Sequence, residues 1–512
     1  MKINVSFPRE LLTNSPGQVV GLSVDPLHIV AAGVICILGF VLRFVSLAYY
    51  SLDGDEFASY YFAHNFSFWQ LWTLELDTHP PLYCTIEKMI LMFGDSEALL
   101  RAPAALLGSV AVLLTYLLAR QIVGGPAALL AAALMAISPG QIYFSQWARS
   151  YALFTVAALG TALTVVGIFN NYASATLSTW GQRALYVLSL TIALYAHNIA
   201  FLLFAITAIF GLVPIVAGRS AKCLLEWAAL NGAVLLLWSW WLIVVAHQAE
   251  AGLVNLQWLA PPTLSFVRDS LANAYGTMFT FHFRSLINIF TLLVVGIILI
   301  SGVIIVARRV LGKIPLAYLL ALVVCTPAAE IAISLMWQPI FYYRIIMWTV
   351  PFFYILAALV ITSLRWSRAA GVLVSGVIAI FALDVWAHYR KPFAEDYRTL
   401  IDEVYTASRD GDVIVTMHPW VYTGINYYLS KQLPRAVVVV DRSTALMRSV
   451  AHLPPASVVH LPPAADRVWL IGGGVEDGDP GLRRDLASYR LVRRYDEHLV
   501  SAELFQHSRA PQ

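Results

Sequence analysis

Apolar residues fall in long runs between residues 27 and 388 and in short runs after that. A helix needs about 20 apolar residues to cross a bilayer. Runs of that order fall at residues 27–49, 101–119, 125–142, 151–170, 184–200, 200–217, 227–247, 286–307, 315–335, 345–364 and 369–388, which predicts about eleven membrane-spanning helices. The breaks near 142–151 and 197–200 are short, so those neighbours meet at tight turns. From residue 390 the pattern changes: charge rises and apolar runs shrink to strand length. Asp412-Val-Ile-Val-Thr-Met417, Arg435-Ala-Val-Val-Val-Val440 and Arg467-Val-Trp-Leu-Ile471 read as buried strands, with helical stretches at 394–408 and 420–431 between and before them. Strand and helix in alternation predict a small α/β domain with a mostly parallel sheet. Gly472-Gly-Gly474 follows the third strand, but it lacks the spacing of a phosphate loop and reads as a turn. No internal repeat shows.

Composition agrees with this pattern. Of 512 residues, 59% are apolar and only 12% are charged, which excludes an ordinary soluble enzyme. The expected fold class is a polytopic α-helical membrane protein with a C-terminal soluble α/β domain. A net charge of +3 gives no reason to expect a nucleic-acid partner. Lys and Arg set the orientation. With Lys2 and Arg9 in the cytoplasm, every inside turn is basic: Arg120, Arg183, Arg219 with Lys222, Arg308-Arg309 with Lys313, and Arg365 with Arg368. The predicted division is a cytoplasmic N-terminus 1–26, a membrane domain 27–389 with a first outside loop 50–100, and an extracytoplasmic domain 390–512. The first apolar run lacks a small-residue cleavage site and reads as an uncleaved anchor. Of Cys36, Cys84, Cys223 and Cys325, only Cys84 falls outside, so no disulfide framework is expected.

Against this apolar background, Asp53-Gly-Asp-Glu56 stands out. Three carboxylates occupy four positions beside a spanning segment, and ionisable groups there are costly enough to suggest function, here a catalytic base. Asp53 suits a helix N-cap before Phe57-Ala-Ser-Tyr-Tyr-Phe62. One loop later comes Asp77-Thr-His79-Pro-Pro-Leu-Tyr83, whose prolines break one helix and start the next at Leu82. Aromatics from Ala58 to Trp72 suit short helices along the membrane edge. Arginines also stand on the outer side, against the charge bias: Arg101, Arg149, Arg268, Arg284 and Arg344.

The ordered set of motifs resembles the protein O-mannosyltransferase-like family of the glycosyltransferase-C superfamily, which includes the bacterial lipid A aminoarabinose transferases. It consists of the Asp-Glu pair, His79-Pro-Pro-Leu-Tyr83, Arg101-Ala-Pro-Ala-Ala-Leu-Leu-Gly108, Ser145-Gln-Trp-Ala-Arg149-Ser-Tyr151 and Tyr343-Arg-Ile-Ile-Met-Trp-Thr-Val-Pro351. Where the aminoarabinose transferases carry Lys-Pro-Pro, this chain has His79-Pro-Pro. The resemblance implies a polyprenyl-phosphate-linked sugar donor and inverting transfer to a lipid, glycan or protein acceptor, with Asp55 as general base. It also implies the bacterial inner (plasma) membrane, with the active site and C-terminal domain on the periplasmic side.

Such a transfer needs a base at the attacking hydroxyl, cations at the departing phosphate and a dry groove for the lipid tail. Glu56 would orient Asp55. Arg149 and Arg344 suit the phosphate, because a guanidinium fork matches two of its oxygens; Tyr151 and Tyr343 stand beside them. Arg101 is a further phosphate candidate, unless Glu97 takes it one turn earlier. His79 would donate to phosphate or sugar, with Asp77 setting its tautomer. Supporting candidates are Asp53, His197 at a tight outer turn, and Glu330, expected to pair with an outer arginine. No HExxH or paired-cysteine motif is present, and no cofactor is expected; a divalent cation on Asp53, Asp55 and Glu56 is the one metal arrangement this stretch suggests. The competing reading is a transporter or flippase of a lipid-linked anion. That would place ionisable groups near the midplane and repeat its halves, whereas here they crowd the outer edge.

Overall fold

The computed structural model describes residues 26–73, 79–250, 259–278, 284–308, 313–363, 368–390, 395–416, 419–432, 438–441, 465–472, 480–497 and 499–508. The chain forms two compact units. The first joins Met1–Val45 to Arg101–Tyr389, and the second joins Ser46–Leu100 to Arg390–Gln512. The predicted outside loop and the C-terminal segment therefore share one unit.

The first unit is a helical bundle. Each of the eleven predicted stretches carries a helix, from Pro26–Phe44 to Arg368–His388. Among the described residues, six helices are long and apolar enough to cross a membrane, and a bent pair makes a seventh. The chain is a polytopic α-helical membrane protein. Tyr151–Ala173 and Val350–Ser363 run through the middle. The latter is buried from Val350 to Ile361, as expected of a helix that is apolar on all sides.

The bent pair is Gly125–Ile137 and Pro139–Ser145, which meet at 58°. Pro139 cannot donate to the preceding turn, so the first helix stops at Ser138 and a new one starts. The break leaves carbonyls at the end of the first helix without helical partners. Arg43, fully buried on Pro26–Phe44, satisfies two of them: it donates to Ala136 O at 3.1 Å and Met135 O at 3.0 Å. It also reaches Ser145 Oγ at 3.1 Å. Tyr354 donates to Ser138 Oγ at 2.9 Å, and Gln141 donates to Met347 O at 2.8 Å. Gly108 faces this junction. A Cβ there would lie 1.9 Å from Ser145 Oγ, so only glycine allows the helix Glu97–Ile122 to come this close. Two of the sequence motifs thus meet at one contact.

The second unit carries a five-stranded sheet in the order β2-β1-β3-β5-β4, from β1 Val413–Thr416, β2 Val438–Asp441, β3 Arg467–Ile471, β4 Tyr489–Glu497 and β5 Val500–His507. β1 pairs in parallel with both β2 and β3, with Val413 opposite Val438 and Val468. β5 runs antiparallel to β3 and to β4. The sheet is therefore mixed rather than mostly parallel. The missed hairpin is polar and exposed along β4 (Arg490, Arg493, Arg494), so it shows no buried-strand pattern. Val413, Val415, Val468, Leu470 and Phe505 form a core on the sheet with Leu482 and Leu486. Gly472 leaves β3 at φ 84°, where glycine is favoured; residues 473–479 lie outside the described residues.

Candidate functional site

In the second unit the acidic stretch opens the helix Gly54–Asn65. Asp53 and Glu56 form a capping box: Glu56 N donates to Asp53 Oδ1 at 2.9 Å, and Asp53 N donates to Glu56 Oε2 at 3.2 Å. The cap thus uses two of the three acids. Both are buried, and Asp55 is the half-buried acid of the three. A fourth carboxylate, missed in the sequence, comes from the C-terminal segment: Glu395 Oε2 accepts from Gly54 N at 3.1 Å. Burial, then the Glu56, Asp55 and Glu395 carboxylates, push the Asp53 carboxyl well above the usual range, against the bond it accepts from Glu56 N–H. Burial also raises Glu395, and Asp55 adds to this, while Gly54 N–H and Tyr397 oppose it.

The surrounding contacts lock this opening turn. Ser51 Oγ donates to Glu395 O at 2.6 Å and accepts from Tyr397 N at 3.0 Å. Leu52 N donates to the Tyr428 hydroxyl at 2.8 Å. Phe57 is buried between Tyr397 and Tyr428, with ring centres 5.2 and 6.1 Å away. Glu97 is taken not by Arg101 but by Arg398, which also holds the Ala48 and Tyr50 carbonyls at 2.8 and 3.0 Å. His79 is half-buried at the bend before Pro80, and Pro81 precedes the helix Leu82–Ile90 as predicted. Asp77 lies outside the described residues.

In the first unit the turn between Pro139–Ser145 and Tyr151–Ala173 gathers most of the remaining candidates. Trp147 and Tyr151 flank Arg149 and stack, with centres 5.5 Å apart and planes 5° from parallel. The Arg344 guanidinium lies 5.8 Å from the Trp147 ring and 5.2 Å from the Tyr342 ring. Tyr343 packs on Phe144 at 6.1 Å and on Tyr342 at 4.5 Å. His197 lies 5.8 Å from the Tyr151 ring, and its Nδ1 accepts from Ile199 N at 3.2 Å. In a neutral ring the proton then sits on Nε2. Gln146 anchors the turn: its Nε2 donates to Arg43 O at 3.1 Å and Val45 O at 2.9 Å, and its Oε1 lies 2.8 Å from His388 Nε2. Arg101 is buried on Glu97–Ile122, within electrostatic reach of His388. Tyr151, Tyr343, Arg344 and His197 are thus brought together at the turn that carries Arg149, and Arg101 lies near His388, which meets Gln146 of the same turn.

Glu330 stands apart. It is fully buried, and neither carboxylate oxygen has a hydrogen-bond partner among the described residues. The expected ion pair with an outer arginine is not made there. Sequence reading also missed Trp147, Tyr342, Gln146 and His388. The signal for Trp147 and Gln146 lay inside a motif already singled out; His388 gave none. Within the same unit is a cavity of about 320 Å³ lined almost wholly by apolar atoms, among them Tyr275, Val295, Ile298, Phe353, Ala357 and Phe381. Among the described residues, no cluster of three or more His, Cys, Asp or Glu is arranged to hold a metal ion.

No protein-family model matches the sequence, and no curated protein sequence matches it. Solved structures do match. ArnT from Cupriavidus metallidurans in the apo state aligns over 94% of this chain and 99% of its own, with a TM-score of 0.60 at 12% identity. The same protein bound to undecaprenyl phosphate aligns over 94% and 98%, with a TM-score of 0.56 at 13% identity. The archaeal oligosaccharyltransferase AglB from Archaeoglobus fulgidus, in complex with an inhibitory peptide and a dolichol-phosphate, aligns over 87% and 69%, with a TM-score of 0.50 at 15% identity. The chain has the glycosyltransferase-C fold. The fold that the motif resemblance implied is borne out.

Proposed function

We propose that this chain is an integral-membrane inverting glycosyltransferase. It moves a sugar from a polyprenyl-phosphate donor to an acceptor hydroxyl on a lipid, glycan or protein, on the extracytoplasmic side of a bacterial inner membrane. The observation that carries this reading is the arginine–aromatic turn of the first unit, where Arg344 lies against Trp147 of the Trp147–Tyr151 stack and Arg149 stands between those two rings in sequence. A guanidinium presents a planar N–H fork to two phosphate oxygens, and aromatic faces suit a sugar ring. The lipid phosphates held by ArnT and by AglB support a donor of this class.

The reaction is one displacement. The acceptor oxygen bonds to the anomeric carbon as the bond from that carbon to the phosphate oxygen breaks. Asp55 takes the hydroxyl proton, and the polyprenyl phosphate leaves with the bonding electrons, its charge held by Arg149 and Arg344 with Arg101 in support. Tyr151, Tyr343, His197 and His79 contact sugar or phosphate. Glu56 and Asp53 hold the turn that carries Asp55. The apolar cavity takes part of the lipid tail, where water is excluded. No nucleotide sugar and no resident cofactor enters the step.

Two variants test the reading in purified protein given a short-chain polyprenyl-phosphate sugar. Asp55→Asn should lower turnover by about 10²–10⁴-fold while leaving donor binding intact. Arg344→Ala should weaken donor binding by roughly 10–100-fold, the loss of charge-assisted hydrogen bonds. Wild-type turnover in the first would remove Asp55 from the base role. Unchanged binding in the second, and in Arg149→Ala, would return both arginines to lipid-headgroup anchoring. Comparing the lipids and glycans of cells with and without the protein identifies the acceptor.

A further inference from the structure

The N-terminus of the helix Gly54–Asn65 is capped twice. Asp53, the residue just before the helix, satisfies the third backbone N–H, at Glu56. The first, at Gly54, is satisfied by Glu395, about 340 residues further along the chain. Glu395 reaches the same segment a second way, because its carbonyl accepts from Ser51 Oγ. Ser51 Oγ in turn accepts from Tyr397 N. The C-terminal segment thus grips residues 51–54 from both sides, and the next residue is Asp55. Arg398, one position beyond Tyr397, binds the carbonyls of Ala48 and Tyr50.

We infer that Glu395 is a positioning residue for Asp55. Through Gly54 and Ser51, the start of the C-terminal segment sets the placement of the catalytic turn, so this segment serves the chemical step itself. This rests on the reading of Asp55 as the base. A helix terminus that loses an N–H partner frays or shifts, and a general base acts only from a narrow range of positions. The carboxylate also meets the positive end of the helix dipole. A side-chain amide offers Gly54 the same acceptor without the charge, so Glu395→Gln separates position from charge.

The experiment uses the full chain and a short-chain polyprenyl-phosphate sugar, with kcat, donor KM and melting temperature measured for each variant. Glu395→Ala should lower kcat by about 10–100-fold with donor KM within about twofold, because placement fails and not donor binding. Glu395→Gln should restore kcat to within about threefold of wild type, since the acceptor for Gly54 is kept. Ala and Gln variants with wild-type kcat would overturn the inference. So would a loss shared equally by both, since the amide keeps the contact. A fall in Glu395→Ala that follows donor KM alone would overturn it as well. Asp55→Asn run alongside keeps the two ideas apart. If it is active, the base assignment fails; if it is inactive while Glu395→Ala is not, only the positioning role fails.

Discussion

Gly424 offers a sharp test of how the turn carrying the proposed base is held. It lies on the helix Pro419–Leu429, against Phe57 of the helix Gly54–Asn65. A Cβ at position 424 would sit 2.2, 2.3 and 2.4 Å from three carbons of the Phe57 ring, about 1 Å inside ordinary carbon–carbon contact. The ring is fully buried with Tyr397 and Tyr428 as neighbours, so it has little room to retreat. In Gly424→Ala the two helices must therefore part by about 1 Å, the cost of an overpacked core being roughly 1–3 kcal/mol. For a unit of this size each kcal/mol lowers the melting temperature by about 2–4 °C. Phe57 is two residues from Asp55 on the same helix, so the displacement reaches the proposed base. A misplacement of about 1 Å costs on the order of 100-fold in rate. Thermal unfolding in detergent and single-turnover sugar transfer measure the two effects. Adding Phe57→Leu removes the clashing ring atoms, so the penalty of the extra methyl should shrink in that background. Wild-type stability and wild-type turnover in Gly424→Ala would refute the reasoning. An equal penalty with and without Phe57 would do so too.

Two further outcomes follow from the structure. Asp53 and Glu395 have folded-state values above their unfolded ones, so the stability they contribute is fully present below the unfolded value. It is lost as pH rises through the folded value. The melting temperature of the wild type should then fall as pH rises above about 4, the unfolded carboxyl value, and Asp53→Asn, which keeps the cap acceptor, should flatten that slope; parallel slopes would show that Asp53 is not the cause. Arg43→Met should destabilise the first unit by roughly 2–5 kcal/mol, because the Met135 and Ala136 carbonyls lose their partner in an apolar setting. Protease resistance and unfolding in detergent would read the change, and a variant as stable as wild type would mean that other groups satisfy the break.

Much of the molecule could be read along the chain. The helical bundle follows from run length alone, because a bilayer or a buried bundle demands helices of that length with apolar sides. Pro80-Pro81 marked its break by a rule local to proline, whereas the run 125–142 predicts a helix continuing through Pro139, where the helix in fact breaks. The strands β1, β2 and β3 showed as apolar runs. The β4–β5 hairpin stayed hidden because β4 is an exposed, arginine-rich edge, and an edge strand need not alternate. Arg43 was passed over as a single charge inside an apolar run. Its worth depends on the carbonyls left open by a bend almost a hundred residues away.

The first site residues were legible because they sat in motifs: the acids at 53–56, Arg149 with Tyr151, and Tyr343 with Arg344. Which group each one meets was not. Helix capping is partly local, so Asp53 could be foreseen. That Glu56 completes the box is local too, three residues on, but that Glu395 caps Gly54 and that Arg398 rather than Arg101 takes Glu97 are matters of tertiary contact. Periodicity and spacing describe what one segment buries. They carry no term for a partner three hundred residues distant, and only the folded chain brings those pairs within hydrogen-bonding range.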